Sequence, residues 1–171
     1  TPGQGSTFWF SANLRKVAED SPEDCPDLPM IDARRHLATE FPGVPVLLAE
    51  DDLINQEVAR ELLESVGLRV EVAENGQCAV ERFQPEETPA FALVLMDMQM
   101  PLLDGIEATG RIRRILGDYP LPIIAMTANA FTEDRDRCLA AGMNDFVSKP
   151  VDPDRLYETL LKWLRSSRGD S

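Results

Sequence analysis

Cysteine and histidine are scarce in this chain of 171 residues, which holds three cysteines (Cys25, Cys78 and Cys138) and one histidine, His36. An odd cysteine count, wide spacings and the lack of any Cys-x-x-Cys pair exclude a disulfide framework and a zinc site. They point to a reducing compartment. Positive charge is also short: 17 Lys and Arg stand against 30 Asp and Glu, for a formal net charge of −13. Nucleic acid and anionic membrane surfaces need a basic footprint, so neither is an expected direct partner. A cation site or a partner with basic patches fits the balance better. Long hydrophobic runs are missing as well. Val46–Ala49 and Phe91–Met96 are of strand length, far below the roughly 20 residues that span a bilayer. No signal peptide opens the chain, and Thr1 stands where a complete protein would carry Met. The expectation is a cytoplasmic piece of a longer parent, which could itself be membrane-anchored.

What remains is globular: 43% hydrophobic and 27% charged residues, with length for one domain plus tails. Residues 18–43 carry Pro22, Pro26, Pro29 and Pro42. That density argues against a long helix and marks a linker, with room for a short helix over Ile31–Glu40. From Val44 a rhythm begins. Apolar strands are read at Val44–Ala49, Phe91–Met96 and Leu121–Met126, an alternating strand at Leu68–Ala73 and a short one at Asp145–Ser148. Helices are read at Ile54–Val66 (Ile54, Val58, Leu62 and Val66 inward), Asn75–Phe83, Gly105–Leu116 (Ile106, Ile112 and Leu116 inward), Phe131–Ala141 and Asp152–Leu164. Strands that are apolar throughout and alternate with helices predict an α/β fold. The form expected is a doubly wound, five-stranded parallel sheet of flavodoxin-like order, with an amino-terminal extension.

Such sheets bind ligands beyond the carboxyl ends of their strands. The first strand runs into Glu50-Asp51-Asp52, the third into Asp97, the fourth into Thr127 and the fifth into Ser148-Lys149-Pro150. Glu50, Asp51 and Asp97 would crowd together, and two like charges ~4 Å apart repel by about 4 kcal/mol at an effective dielectric near 20. The set calls for a cation. Lys149 supplies one charge, and a hard, oxygen-seeking ion such as Mg²⁺ would supply the rest. Taken singly, an acidic pair after a strand complements a helix dipole, and a lone Asp, Thr or Lys-Pro is structural. Their occurrence together on one rim is the informative feature.

These residues resemble the motifs of response-regulator receiver domains of the CheY-like family. The resemblance rests on Val46-Leu47-Leu48-Ala49-Glu50-Asp51-Asp52, Leu95-Met96-Asp97-Met98-Gln99-Met100-Pro101, Asp104-Gly105, Met126-Thr127-Ala128-Asn129-Ala130 and Ser148-Lys149-Pro150, with matching intervals between Asp97, Thr127 and Lys149. It covers residues 44–166 and leaves 167–171 as a tail. Met96–Pro101 and the run Asn55-Gln56-Glu57-Val58-Ala59 look most like the receivers of bacterial hybrid sensor kinases. The resemblance implies a (βα)5 receiver in a two-component phosphorelay. Asp97 would accept a phosphoryl group from phosphohistidine. Glu50, Asp51, Asp97 and the backbone carbonyl of Gln99 would hold Mg²⁺. Thr127 and Lys149 would assist catalysis, and Thr127 and Phe146 would form a conformational switch. A cis Lys149–Pro150 bond is implied as well. The donor would be the parent's own kinase core or a histidine-phosphotransfer domain, and a second copy, as a homodimer, is a further candidate partner.

Two positions depart from the pattern. Asp52 stands where related receivers often carry Asn, and it either helps to hydrate the metal or caps the first helix, the capping reading being the expected one. Phe146 lacks the hydroxyl a Tyr would bring. Gln99 and Asn129 flank the site and could place or block a hydrolytic water. In residues 1–17, Gly3-Gln4-Gly5-Ser6-Thr7-Phe8-Trp9-Phe10 resembles the last glycine box and following strand of a histidine-kinase ATP-binding domain. The parent is therefore expected to be a protein-histidine kinase, and this chain a self-phosphorylating acceptor without kinase activity. His36 reads as a solvated linker residue rather than a phosphorylation site, and Trp163 as core or an exposed anchor rather than a cofactor platform. The competing readings are a phosphorylation-independent interaction module (a pseudo-receiver) and a haloacid-dehalogenase-like phosphatase. The phosphatase expects an Asp where Gln99 stands.

Overall fold

The computed structural model describes residues 29–84, 89–128 and 132–168. The amino-terminal remnant 1–17, the first part of the linker, Cys25, Asn129 and the end of the tail lie outside them. Among the described residues, six helices and five strands follow in the order α1 (Pro29–Glu40), β1 (Pro45–Ala49), α2 (Leu53–Ser65), β2 (Arg69–Ala73), α3 (Gly76–Val80), β3 (Leu93–Asp97), α4 (Gly105–Leu116), β4 (Ile123–Thr127), α5 (Thr132–Ala140), β5 (Asp145–Ser148) and α6 (Pro153–Ser167). The strands form one parallel sheet in the order β2-β1-β3-β4-β5, the doubly wound order expected.

Alternation along the strands sorts the core into two layers. Val46, Leu48, Leu93, Leu95, Ile124, Met126 and Val147 face the side covered by α1, α2 and α6. Leu47, Val94, Met96, Ile123 and Ala125 face α3, α4 and α5. Both faces of β1, β3 and β4 are therefore dry, which explains why these strands read as unbroken apolar runs.

The structure corrects two expected helix faces. On α2 the inward residues are Ala59 and Leu63, with Val66 just past its end, while Ile54 and Val58 are 74% and 49% exposed. Leu53, Ile54 and Val58 thus lie on the side of α2 turned away from the layer that holds Ala59 and Leu63. On α4 the buried stripe is Gly105, Ala108, Thr109 and Ile112, and Ile106 and Leu116 are half-buried. Small residues let this helix approach the sheet closely. Strands β3 and β4 also begin two residues later than expected and extend one further, so Asp97 and Thr127 are the last residues of their strands.

The linker's second half is ordered into the core. The short helix for which the sequence left room over Ile31–Glu40 forms and begins two residues earlier, since Pro29 is tolerated in a first helical turn and Pro42 lies beyond the last. Leu37 and Phe41 are buried beside Leu160 and Leu164 of α6. Arg165 Nε donates to Glu40 Oε2 at 2.9 Å, Arg168 Nη1 donates to the Glu40 carbonyl at 2.8 Å, and the Arg168 guanidinium lies 4.5 Å from the Phe41 ring centre. His36 sits on this helix, 2.7 Å from Glu40 Oε1. Trp163 is half-buried against the layer that holds Leu160 and Leu164, and its indole N–H donates to Asp145 Oδ2 at 2.9 Å. Among the described residues no helix is long and apolar enough to cross a membrane.

Candidate functional site

Parallel registration sets the rim. Ala49 is level with Met96, Asp97 with Met126, and Thr127 with Ser148. Glu50, one residue past Ala49, therefore comes up beside Asp97, and Lys149, one past Ser148, comes up beside Thr127, whose carbonyl accepts the Lys149 N–H at 2.7 Å. Glu50, Asp97 and Thr127 are buried and Asp51 is exposed. Carboxylate oxygens of Glu50, Asp51 and Asp97 all lie within 4.8 Å of one another. The peptide bond between Lys149 and Pro150 is cis.

The Lys149 ammonium bridges the two buried acids, 2.6 Å from Glu50 Oε2 and 2.8 Å from Asp97 Oδ2. Burial works against its charge, but hydrogen bonds and attraction from Asp97 and Glu50 outweigh that, and its pKa is raised. Asp97 Oδ1 accepts the Gln99 N–H at 3.2 Å. Gly105 lies directly beneath: a β-carbon there would stand 2.1 Å from the Asp97 carbonyl oxygen. Only glycine lets α4 begin so close to the end of β3. Asp104 caps α4 by accepting the Glu107 N–H.

Asp52 takes the capping role: its Oδ1 accepts the N–H groups of Ile54 and Asn55, both at 2.9 Å. Two further residues, absent from the sequence-based site, hold Glu50. Asn55 Nδ2 donates to its Oε1 at 3.1 Å and Gln56 Nε2 donates to its backbone carbonyl at 2.7 Å. A polar pair in the first turn of the helix that follows the acidic run is the sequence signal that would have found them. These groups line a cleft of about 370 Å³ that also reaches Met98, Ile106 and Arg137. Phe146 is half-buried on β5, against the layer that holds Met96 and Met143.

The donor set suits one class of ion. Three carboxylates contribute hard oxygens, and among the described residues Lys149 is the cation bonded to the two buried ones. A small divalent cation held by oxygen would complete the charge.

A protein-family model described as the response regulator receiver domain matches residues 46–161. Over 163 residues the chain is 36% identical to the hybrid signal transduction histidine kinase K of Dictyostelium discoideum, a match that covers 91% of this chain and 13% of that protein. The chain thus spans a small part of such relatives. Among solved structures, it resembles the receiver domain of a sensor histidine kinase from Pseudomonas aeruginosa PAO1, which carries a magnesium ion coordinated in its active-site cleft. The identity is 40%, with a TM-score of 0.63, over 71% of this chain and 98% of that one. It also resembles a co-crystal structure of the Saccharomyces cerevisiae histidine phosphotransfer protein Ypd1 and the receiver domain of its response regulator Ssk1. There the identity is 32%, with a TM-score of 0.68, over 76% of this chain and 95% of that one.

Proposed function

This chain belongs to the response regulator receiver domain family, and from that premise we propose that Asp97 is its phospho-acceptor, taking a phosphoryl group from a phosphohistidine in a phosphorelay. The observation that carries the reading is the placement of the Asp97 carboxylate. It is buried, 2.8 Å from the Lys149 ammonium, and grouped with Glu50 and Asp51 within 4.8 Å.

Phosphoryl transfer asks mainly for alignment and charge neutralisation. Asp97 Oδ1 is oriented by the Gln99 N–H and Oδ2 by Lys149, so the nucleophile is aimed before the donor arrives. Lys149 then turns to the transferred group, and the Thr127 hydroxyl, at the next strand end, donates to one of its oxygens. Glu50, Asp51, Asp97 and the Gln99 carbonyl are the groups that would hold Mg²⁺, which when bound neutralises phosphoryl oxygens. Phosphorylation brings new acceptor oxygens and a total charge near −2 to this position. Thr127 moves toward them and Phe146 turns inward behind it, which repacks β5 and its flanking helices.

The partner proposed is a histidine-phosphotransfer domain or the histidine-bearing helices of a parent kinase. Leu53, Ile54 and Val58 of α2, with Leu102 beyond β3, are large exposed apolar residues. Those on the first turn of α2 border the cleft and supply the apolar surface that such helices would cover. The parent is proposed to be a hybrid histidine kinase and the receiver to act in the cytoplasm. Incubation with acetyl phosphate and Mg²⁺, read by intact mass and by phosphate-affinity electrophoresis, tests the acceptor. Labelling of the natural chain that disappears in Asp97→Asn supports it. No labelling of the natural chain overturns it in favour of an interaction module that works without phosphate.

A further inference from the structure

Glu50 is gripped on every side, and its partners differ in how free they are to leave. Its N–H donates to the Ala73 carbonyl at 3.1 Å, and its own carbonyl accepts from Gln56 Nε2 at 2.7 Å. Its carboxylate has two described partners: Lys149 at Oε2 and Asn55 at Oε1. Lys149 is shared with Asp97 and hangs on a long, rotatable stem. Asn55 has a short side chain on the first turn of α2, and its backbone N–H is fixed by Asp52 Oδ1 at 2.9 Å. A line of hydrogen bonds therefore runs from the helix cap through Asn55 to the buried carboxylate.

We propose that Asn55 is a positioning residue that keeps the Glu50 carboxylate in place for the divalent cation, and so sets the cation affinity of the Asp97 site. The inference rests on the receiver function proposed above and deepens it. When Lys149 swings to a phosphoryl oxygen, Glu50 loses its Oε2 partner, and the Asn55 amide is the donor that stays. The residue type follows from charge. A Lys or Arg here would take the cation's place beside Glu50, whereas an Asp or Glu would add a fourth negative charge to three already within 4.8 Å. An amide donates without adding either charge. Asp52, an exposed carboxylate on the lip of the cleft, thereby acts at a second point: by capping α2 it holds Asn55 where its amide meets Glu50.

The test uses the full chain and two variants. Asn55→Leu keeps the volume and removes the donor, and Asn55→Ala removes the donor without a branched group beside Glu50. Circular dichroism first establishes that each is folded. Mn²⁺ binding is then followed by the electron paramagnetic resonance of the free ion, and acetyl phosphate labelling is measured as a function of Mg²⁺. Groups that orient metal ligands change affinity by roughly 10- to 100-fold when removed. The expected result is a Kd for Mn²⁺ raised about tenfold in both variants, with a matching rise in the Mg²⁺ needed for half-maximal labelling, and recovery of labelling by excess Mg²⁺. A folded variant with the natural chain's Kd overturns the inference, and so does a loss of labelling that excess Mg²⁺ fails to restore. Failure of the natural chain to bind Mn²⁺ and to be labelled overturns the receiver function instead, a different pattern from failure in the variants alone.

Discussion

Lys149 Nζ lies 2.6 Å from Glu50 Oε2, closer than its 2.8 Å approach to Asp97. A single ammonium thus answers two buried acids. Its raised pKa keeps it charged past the ordinary lysine value of 10.5. The stability it brings is therefore complete at neutral pH and is lost only as pH rises through the folded-state value.

Lys149→Met should strand the two buried carboxylates. Breaking a buried pair by removing one partner is costly, and partial exposure at the rim reduces the loss to about 2 kcal/mol. Urea unfolding at neutral pH should show it. Mg²⁺ should recover more stability in the variant than in the natural chain. Equal stability of the two proteins without metal would contradict the pairing as described.

Asp51→Asn should have opposite signs with and without metal. Asp51 is exposed, and within 4.8 Å of Glu50 and Asp97 it adds repulsion. The metal-free variant should be as stable as the natural chain or up to about 1 kcal/mol more so. Mg²⁺ should raise the melting temperature of the natural chain and leave that of the variant unchanged. Thermal unfolding in chelator and in Mg²⁺ reads both effects.

Acid should loosen α1 before the sheet. The hydrogen bond from Arg165 holds the Glu40 carboxyl at about 2, below its ordinary 4.5, with His36 adding to the effect and burial opposing it. A depressed folded-state value stabilises above the unfolded value and ceases to do so as pH falls through the folded one. Docking of α1 on α6 should therefore weaken between pH 4.5 and about 2. Hydrogen exchange of the amides at Leu37 and Phe41 would follow it, and Arg165→Gln should flatten that pH dependence.

Two glycines on one helix should respond oppositely to alanine. Gly105→Ala places a β-carbon 2.1 Å from the Asp97 carbonyl oxygen, and overpacking against backbone should cost about 2–3 kcal/mol and displace Asp97. At Gly110 the nearest heavy atom to such a carbon is a flexible Arg114 nitrogen at 4.0 Å. Gly110→Ala should stabilise by about 0.5–1 kcal/mol through helix propensity alone. Chemical denaturation of the pair checks the sign as well as the size.

The order of strands and helices and the rim of acids were legible in the sequence because both depend on local pattern. Apolar runs of strand length, helical spacing and the residue that follows each strand are all nearest-neighbour properties, and the doubly wound crossover then leaves one arrangement for Glu50, Asp51, Asp97, Thr127 and Lys149. The capping role of Asp52 was legible for the same reason. Proline density alone could not show that residues 29–40 form a helix whose end is sealed against α6, since that depends on Leu37 and Phe41 meeting Leu160 and Leu164 more than a hundred residues away.

Only the packed structure decided which neutral groups hold the charged ones, and which way the helices turn. The hydrogen bond from Asn55 to Glu50, the sharing of Lys149 between two acids, and the exposure of Ile54 and Val58 each depend on rotation and distance between elements. Sequence periodicity leaves a helix face uncertain by a residue, about 100° of rotation, whereas a hydrogen bond is settled by tenths of an ångström.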